Sequence, residues 1–98
     1  NSRFISAIFI LFLMYCVYVL YSETYNKTYV GYSSDLESRI ESHNEYATKG
    51  WTIKYRPWKL LFHEEYSTKA EAMKREKALK AGKGRDYIKK ILSEYISK

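Results

Sequence analysis

Apolar and polar residues alternate along this chain in short blocks whose period switches between two and about 3.6, and the switches mark its elements. Residues 15–21 read as a buried strand, with Val17, Val19 and Tyr21 on one face and Cys16, Tyr18 and Leu20 on the other. Residues 22–26 are polar and read as a turn. Thr28, Tyr29 and Val30 then open a second strand over 27–32, which completes a hairpin. A turn centred on Glu23 and Thr24 places Tyr18 directly opposite Tyr29.

Ser33, Ser34 and Asp35 are N-cap candidates for a helix through about Asn44, with Leu36, Ile40 and His43 as its apolar stripe. Residues 45–58 contain Gly50 and Pro57 and read as a loop, and 59–66 as a third strand. Ser67 or Thr68 caps a second helix to about Ala81, stopped by Gly82 and Gly84. A third helix from Arg85 onward carries Ile88, Ile91, Leu92 and Tyr95 on one face. The predicted architecture is α+β: a small three-stranded, mainly antiparallel sheet flanked by about three helices.

One position breaks the pattern. On the second helix Glu76 falls between the apolar residues Ala72, Met73 and Leu79. A carboxylate in an apolar stripe is costly unless it is paired or binds a metal. The bland alternative is a carboxylate at the stripe's edge, paired with a nearby lysine.

Composition narrows the class. Ninety-eight residues, 46% of them hydrophobic and with eleven Tyr, suit one compact domain and exclude a disordered chain. Residues 4–21 are almost continuously apolar. If a strand occupies 15–21, the remaining apolar stretch of 4–13 is too short to span a bilayer core of about 30 Å. We therefore divide the chain into an apolar extension, 1–13, and a domain, 14–98, with a membrane anchor through 4–21 as the lesser alternative. The formal net charge is +6, and Lys69, Lys74, Arg75, Lys77, Lys80, Lys83, Arg85, Lys89 and Lys90 crowd the last third, which favours a polyanionic partner. The single cysteine, Cys16, permits no internal disulfide and favours a reducing, cytoplasmic setting. No Cys and His cluster has zinc-ligand spacing.

Cys16-Val17-Tyr18, a ten-residue gap, then Tyr29-Val30-Gly31 resembles the paired signature of the GIY-YIG nucleases. Arg39, His43 and Asn44 in the next helix, and Arg75-Glu76 in a later one, extend the likeness over roughly residues 14–92. The order is similar to that of small single-domain bacterial members and of the nuclease domain of the excision-repair incision subunit. The chain departs from the pattern twice: Cys16 stands where glycine is usual, and no asparagine follows Asn44.

The resemblance implies a metal-dependent endonuclease that hydrolyses phosphodiester bonds in DNA, in repair or recombination, with RNA as a lesser substrate. A non-catalytic nucleic-acid-binding module of the same fold is the alternative. Glu76 corresponds to the ligand for Mg²⁺, or Mn²⁺ in its place, and Arg39 to the phosphate clamp. Tyr18 corresponds to the general base, Tyr29 to its partner or water positioner, and His43 to the group that orients a tyrosine or relays a proton. Tyr32, Lys74, Arg75, Lys80, Lys83 and Arg85 are the expected nucleic-acid contacts. Tyr46, Trp51 and Tyr55 are further aromatics able to stack on bases.

Overall fold

A computed structural model describes residues 14–46, 48 and 50–97. The apolar extension assigned to 1–13 lies outside the described residues, as does the side chain of Tyr46. Three strands, β1 (Tyr15–Ser22), β2 (Lys27–Ser33) and β3 (Lys59–Tyr66), form one antiparallel sheet in the order β2-β1-β3. Among the described residues three α-helices accompany it: α1 (Leu36–Glu41), α2 (Lys69–Lys80) and α3 (Gly82–Ile96).

The most apolar segment becomes the central strand because both its faces are covered. Val17 and Val19 pack with Val30, Ala72, Leu79 and Ile88 on the α2–α3 side. Tyr18 and Leu20 pack with Trp58 on the other, flanked by Leu36 and Ile40 of α1. The alternation predicted for 15–21 thus separates two cores. No helix of the described residues is long and apolar enough to cross a membrane. Residues 15–21 of the 4–21 apolar run are sheet, not part of a spanning helix.

The hairpin register differs from the sequence-based expectation by two residues. Tyr18 pairs with Gly31, and Leu20 with Tyr29. The closing pair is Ser22 with Lys27, which leaves the turn to residues 23–26. Asn26 takes a left-handed backbone (φ 52°), which its short polar side chain tolerates, and its Oδ1 accepts from the Tyr21 hydroxyl at 3.2 Å. A two-residue shift keeps every side chain on its predicted face, so Tyr18 and Tyr29 remain neighbours as a diagonal pair with ring centres 6.2 Å apart.

Local capping chemistry fixes two helix starts. The Asp35 carboxylate accepts from Ser38 N at 3.1 Å and opens α1. Thr68 Oγ1 accepts from Glu71 N at 3.2 Å and donates to Glu71 Oε1 at 2.9 Å, a reciprocal cap for α2. The α-helix that starts at Leu36 ends at Glu41, and Ser42–Tyr46 continue as a wider π turn. Within the predicted loop, Trp51–Tyr55 wind into a 3₁₀ turn.

The two glycines after α2 do not act as predicted. Ala81 is extended (ψ 173°) and makes the break, and α3 already begins at Gly82 rather than Arg85. Gly84 lies inside α3, buried, where a Cβ would collide with the backbone of Ala78 and Leu79. Its missing side chain lets the first turn of α3 cross directly over the end of α2. Met73, counted in the apolar stripe of α2, is 47% exposed, whereas Ala72 and Leu79 are fully buried.

Candidate active site

Four of the five predicted catalytic residues line one open cleft of about 510 Å³ beside the β1–β2 hairpin: Tyr18, Tyr29, Arg39 and Glu76. Each arrives from a different element. Tyr18 comes from the central strand and Tyr29 from the edge strand, Arg39 from α1 and Glu76 from the middle of α2. Tyr32, expected to contact nucleic acid, lines the same cleft.

His43 sits behind this wall, 7% exposed. The Tyr18 hydroxyl lies 3.0 Å from His43 Nε2, and His43 Nδ1 lies 3.2 Å from Thr52 Oγ1. These contacts suit the tautomer protonated on Nδ1, in which the phenol donates to Nε2 and Nδ1–H donates to the threonine. The Tyr29 ring stands 4.8 Å from the imidazole and 6.4 Å from the indole of Trp51, against which it stacks.

The segment carrying His43 is tied down from the predicted loop. The Arg56 guanidinium donates to the carbonyls of Ser42 and His43. The Asn44 side chain donates to Trp58 O at 3.0 Å and accepts from Trp58 N at 2.6 Å, and Trp58 Nε1 donates to Thr52 O at 2.8 Å. Polar groups buried this way are satisfied, so the imidazole is held from both ends.

Electrostatics set the protonation states. Burial pushes the Tyr18 phenol up to about 12; the neighbouring Tyr29 and Glu76 add to the rise, while a hydrogen bond and the charge of Arg39 oppose it. Burial, with the nearby Arg39 and Arg56 cations, holds His43 below its ordinary value. At neutral pH the pair is therefore a neutral phenol hydrogen-bonded to a neutral imidazole. Burial, followed by the charge of Glu65, raises the Cys16 thiol, which leaves little thiolate for nucleophilic chemistry.

Glu76 keeps its place at the edge of the apolar stripe through Lys80, whose Nζ donates to Oε1 at 3.1 Å. The donor set suits a hard, hydrated cation. Glu76 brings a single carboxylate to the cleft, and no group of three or more His, Cys, Asp or Glu converges among the described residues. Mg²⁺ is held by one or two carboxylates with phosphate oxygens and waters, whereas a structural zinc site needs about four protein ligands.

The predicted nucleic-acid contacts divide into groups. Lys80 and Arg85 line a second, smaller cleft of about 250 Å³ next to the first. Lys74 and Lys83 are exposed and line neither cleft. Arg75 is committed to the fold: its Nε donates to Glu64 Oε1 at 2.7 Å, and its guanidinium lies 5.5 Å over the Tyr87 ring. Sequence reasoning counted Lys69 in the basic cluster of the last third, and the structure places it in the lining of the main cleft; it did not single out Tyr15, which lines the same cleft, or Thr52 and Arg56, which hold His43 and its carbonyl. Thr52 offered no cue, because it lies in an aperiodic segment.

With this geometry in place, comparison with known proteins gives a consistent result. Residues 14–90 match the family described as the GIY-YIG catalytic domain. The chain is 43% identical over 51 residues to the UPF0213 protein YazA of Bacillus subtilis (strain 168), a match covering 52% of each chain. It is 42% identical over 52 residues to a UPF0213 protein of Staphylococcus aureus (strain Mu3 / ATCC 700698), covering 53% of this chain and 63% of the relative. The chain thus spans about half to two thirds of the length of these relatives.

Proposed function

This chain belongs to the GIY-YIG family, and from that premise we propose that it is a metal-dependent endonuclease acting on phosphodiester bonds in DNA. The observation that carries the reading is the convergence of Tyr18, Tyr29, Arg39 and Glu76 on one cleft, with His43 hydrogen-bonded to Tyr18. Hydrolysis of a phosphodiester requires a water deprotonated at the moment of attack, charge held on the phosphate, and a leaving oxygen stabilised opposite the water. Mg²⁺ or Mn²⁺ on Glu76 would supply the strongest positive charge to the phosphate and the leaving oxygen.

The remaining work falls to the protein's own side chains. Arg39 grips the phosphate through a forked guanidinium that stays charged at every relevant pH. Tyr18 is a poor base by itself, because its phenol is pushed up to about 12 and stays protonated near neutrality. His43 resolves this. Its neutral Nε2, 3.0 Å away, takes the phenol proton while the phenol oxygen takes one from the attacking water. A phenolate is disfavoured by burial, so a concerted transfer through the pair is easier than prior ionisation. Thr52 keeps the acceptor nitrogen facing Tyr18. Tyr29, diagonal to Tyr18, positions the water.

The reading is tested with a panel of labelled duplex, branched and single-stranded DNA, incubated with Mg²⁺ or Mn²⁺ and with chelator. Cleavage should require the metal. It should fall by about 10²-fold or more in Glu76→Ala and Arg39→Ala, the loss typical of removing a charge-stabilising group. Absence of cleavage on every DNA form, with salt-dependent binding unaffected by Glu76→Ala, would instead identify a non-catalytic binding module.

A further inference from the structure

Two clefts meet at one lysine. The catalytic cleft ends at Glu76, and the smaller cleft, bounded by Thr28, Val30, Leu79, Lys80, Arg85 and Ile88, begins one helical turn further along α2. Tyr29 lines both. Lys80 lines the second cleft, yet its ammonium reaches back to Glu76 Oε1 at 3.1 Å. The Arg85 guanidinium beside it makes no ion pair among the described residues. A phosphate entering the second cleft would find one free guanidinium and one lysine engaged elsewhere.

We propose that Lys80 serves the two clefts in turn, neutralising Glu76 while the cation is absent and, once the cation takes that carboxylate, turning with Arg85 to a flanking backbone phosphate of the same strand. This rests on Glu76 being the metal ligand. The physical case is an asymmetry of strengths. An ion pair one turn apart on a helix is worth only about a twofold equilibrium constant, and here the lysine end is in solvent, with the Lys80 side chain 54% exposed against 21% for Glu76. A divalent ion outcompetes such a pair easily, and the flexible four-carbon stem lets the released ammonium move at little cost. The second cleft then gains a cation when the first is loaded, so metal and strand each favour the other's binding, reciprocally.

The first test is Mn²⁺ titration of the purified chain followed by electron paramagnetic resonance, without DNA. Lys80→Met should tighten Mn²⁺ binding by about three- to tenfold, from loss of the competing pair and of one nearby charge. Lys69→Met removes a like charge from the lining of the catalytic cleft itself, from a lysine that makes no ion pair with Glu76, and should have a clearly smaller effect. Equal effects of the two variants, or none, would overturn the placeholder role. Glu76→Gln should abolish binding; if it does not, both this inference and the assignment of Glu76 as metal ligand fall.

The second test measures anisotropy of a labelled strand in chelator. Lys80→Met should weaken binding several-fold more in the Glu76→Gln background, where Lys80 is already released, than in the parent chain. Arg85→Met should weaken binding in both backgrounds, lowering the salt slope by roughly one. Equal losses from Lys80→Met in the two backgrounds would refute the transfer to a phosphate. Lys80, Lys69 and Arg85 are exposed, so the comparisons are made on folded protein.

Discussion

Replacing Gly31 with alanine tests how the wall of the candidate active site is built. Gly31 pairs with Tyr18 across the hairpin, and the Tyr18 ring lies over the place where a side chain would stand. An added Cβ would sit 2.6 Å from the Tyr18 hydroxyl oxygen, 2.7 Å from Cζ and 3.0 Å from Tyr29 Cε1. Ordinary carbon–carbon contact begins near 3.5 Å, so the ring must withdraw by roughly 1 Å. Tyr18 has little freedom to do so, being fully buried and hydrogen-bonded to His43. Overpacking of this kind costs about 1–3 kcal/mol. Replacing a strand glycine by alanine returns about 0.5–1 kcal/mol of backbone entropy. The net loss is then about 0.5–2 kcal/mol, and at about 4–8 °C per kcal/mol for a domain this size it should be visible as a fall in Tm. Cleavage should suffer more than stability, because a displacement near 1 Å costs about 10²-fold in rate. The assay is thermal melting alongside single-turnover cleavage, with Gly82→Ala as control, since a Cβ there meets nothing within 4 Å. Wild-type melting and cleavage in Gly31→Ala would refute the account of Gly31 as the seat of the Tyr18 ring.

Gly84→Ala should destabilise by about 3 kcal/mol or more, because the new Cβ meets helix backbone rather than a movable side chain; denaturant melts measure it, and a loss below that of Gly31→Ala would contradict the close crossing. His43 predicts an acid limb. Its value is held below the ordinary 6.5, so the neutral acceptor persists through pH 6.5 and is lost only as pH falls further. In the same window stability should fall as well, since the unfolded chain takes up the proton first on descending pH; a rate profile and melts between pH 4.5 and 7, approximate bounds chosen around the ordinary histidine value, check both. On the alkaline side, the Tyr18 phenol pushed up to about 12 favours the fold below pH 10. About 2–3 kcal/mol of stability should be lost between pH 10 and 12, and Tyr18→Phe should remove that component. Arg75→Met should lower stability by about 1 kcal/mol while leaving strand affinity nearly unchanged, because the guanidinium is engaged by Glu64; anisotropy and melting together separate the two roles.

Sequence alone determined whatever depends on residues near one another along the chain. The alternation over 15–21 assigned Val17 and Val19 to one core and Tyr18 and Leu20 to the other, because side chains of a strand alternate whatever the strand pairs with. The caps were legible to within two or three adjacent residues for the same reason, and the structure selects Asp35 from Ser33, Ser34 and Asp35, and Thr68 from Ser67 and Thr68, each closed by an amide three residues on. The misfit of Glu76 in its stripe was likewise visible, since a helix fixes which residues share a face. Tertiary structure decided everything that joins distant segments. A turn shifted by one residue moved the pairing by two, which set Gly31 rather than Tyr29 opposite Tyr18. Gly84 looks like a helix stop in sequence and is a crossing point in space, because only the approach of α2 gives its bare backbone a purpose. Thr52 acquires its hold on His43, and Lys80 its place between two clefts, from packing that brings together elements whose local preferences carry no record of one another.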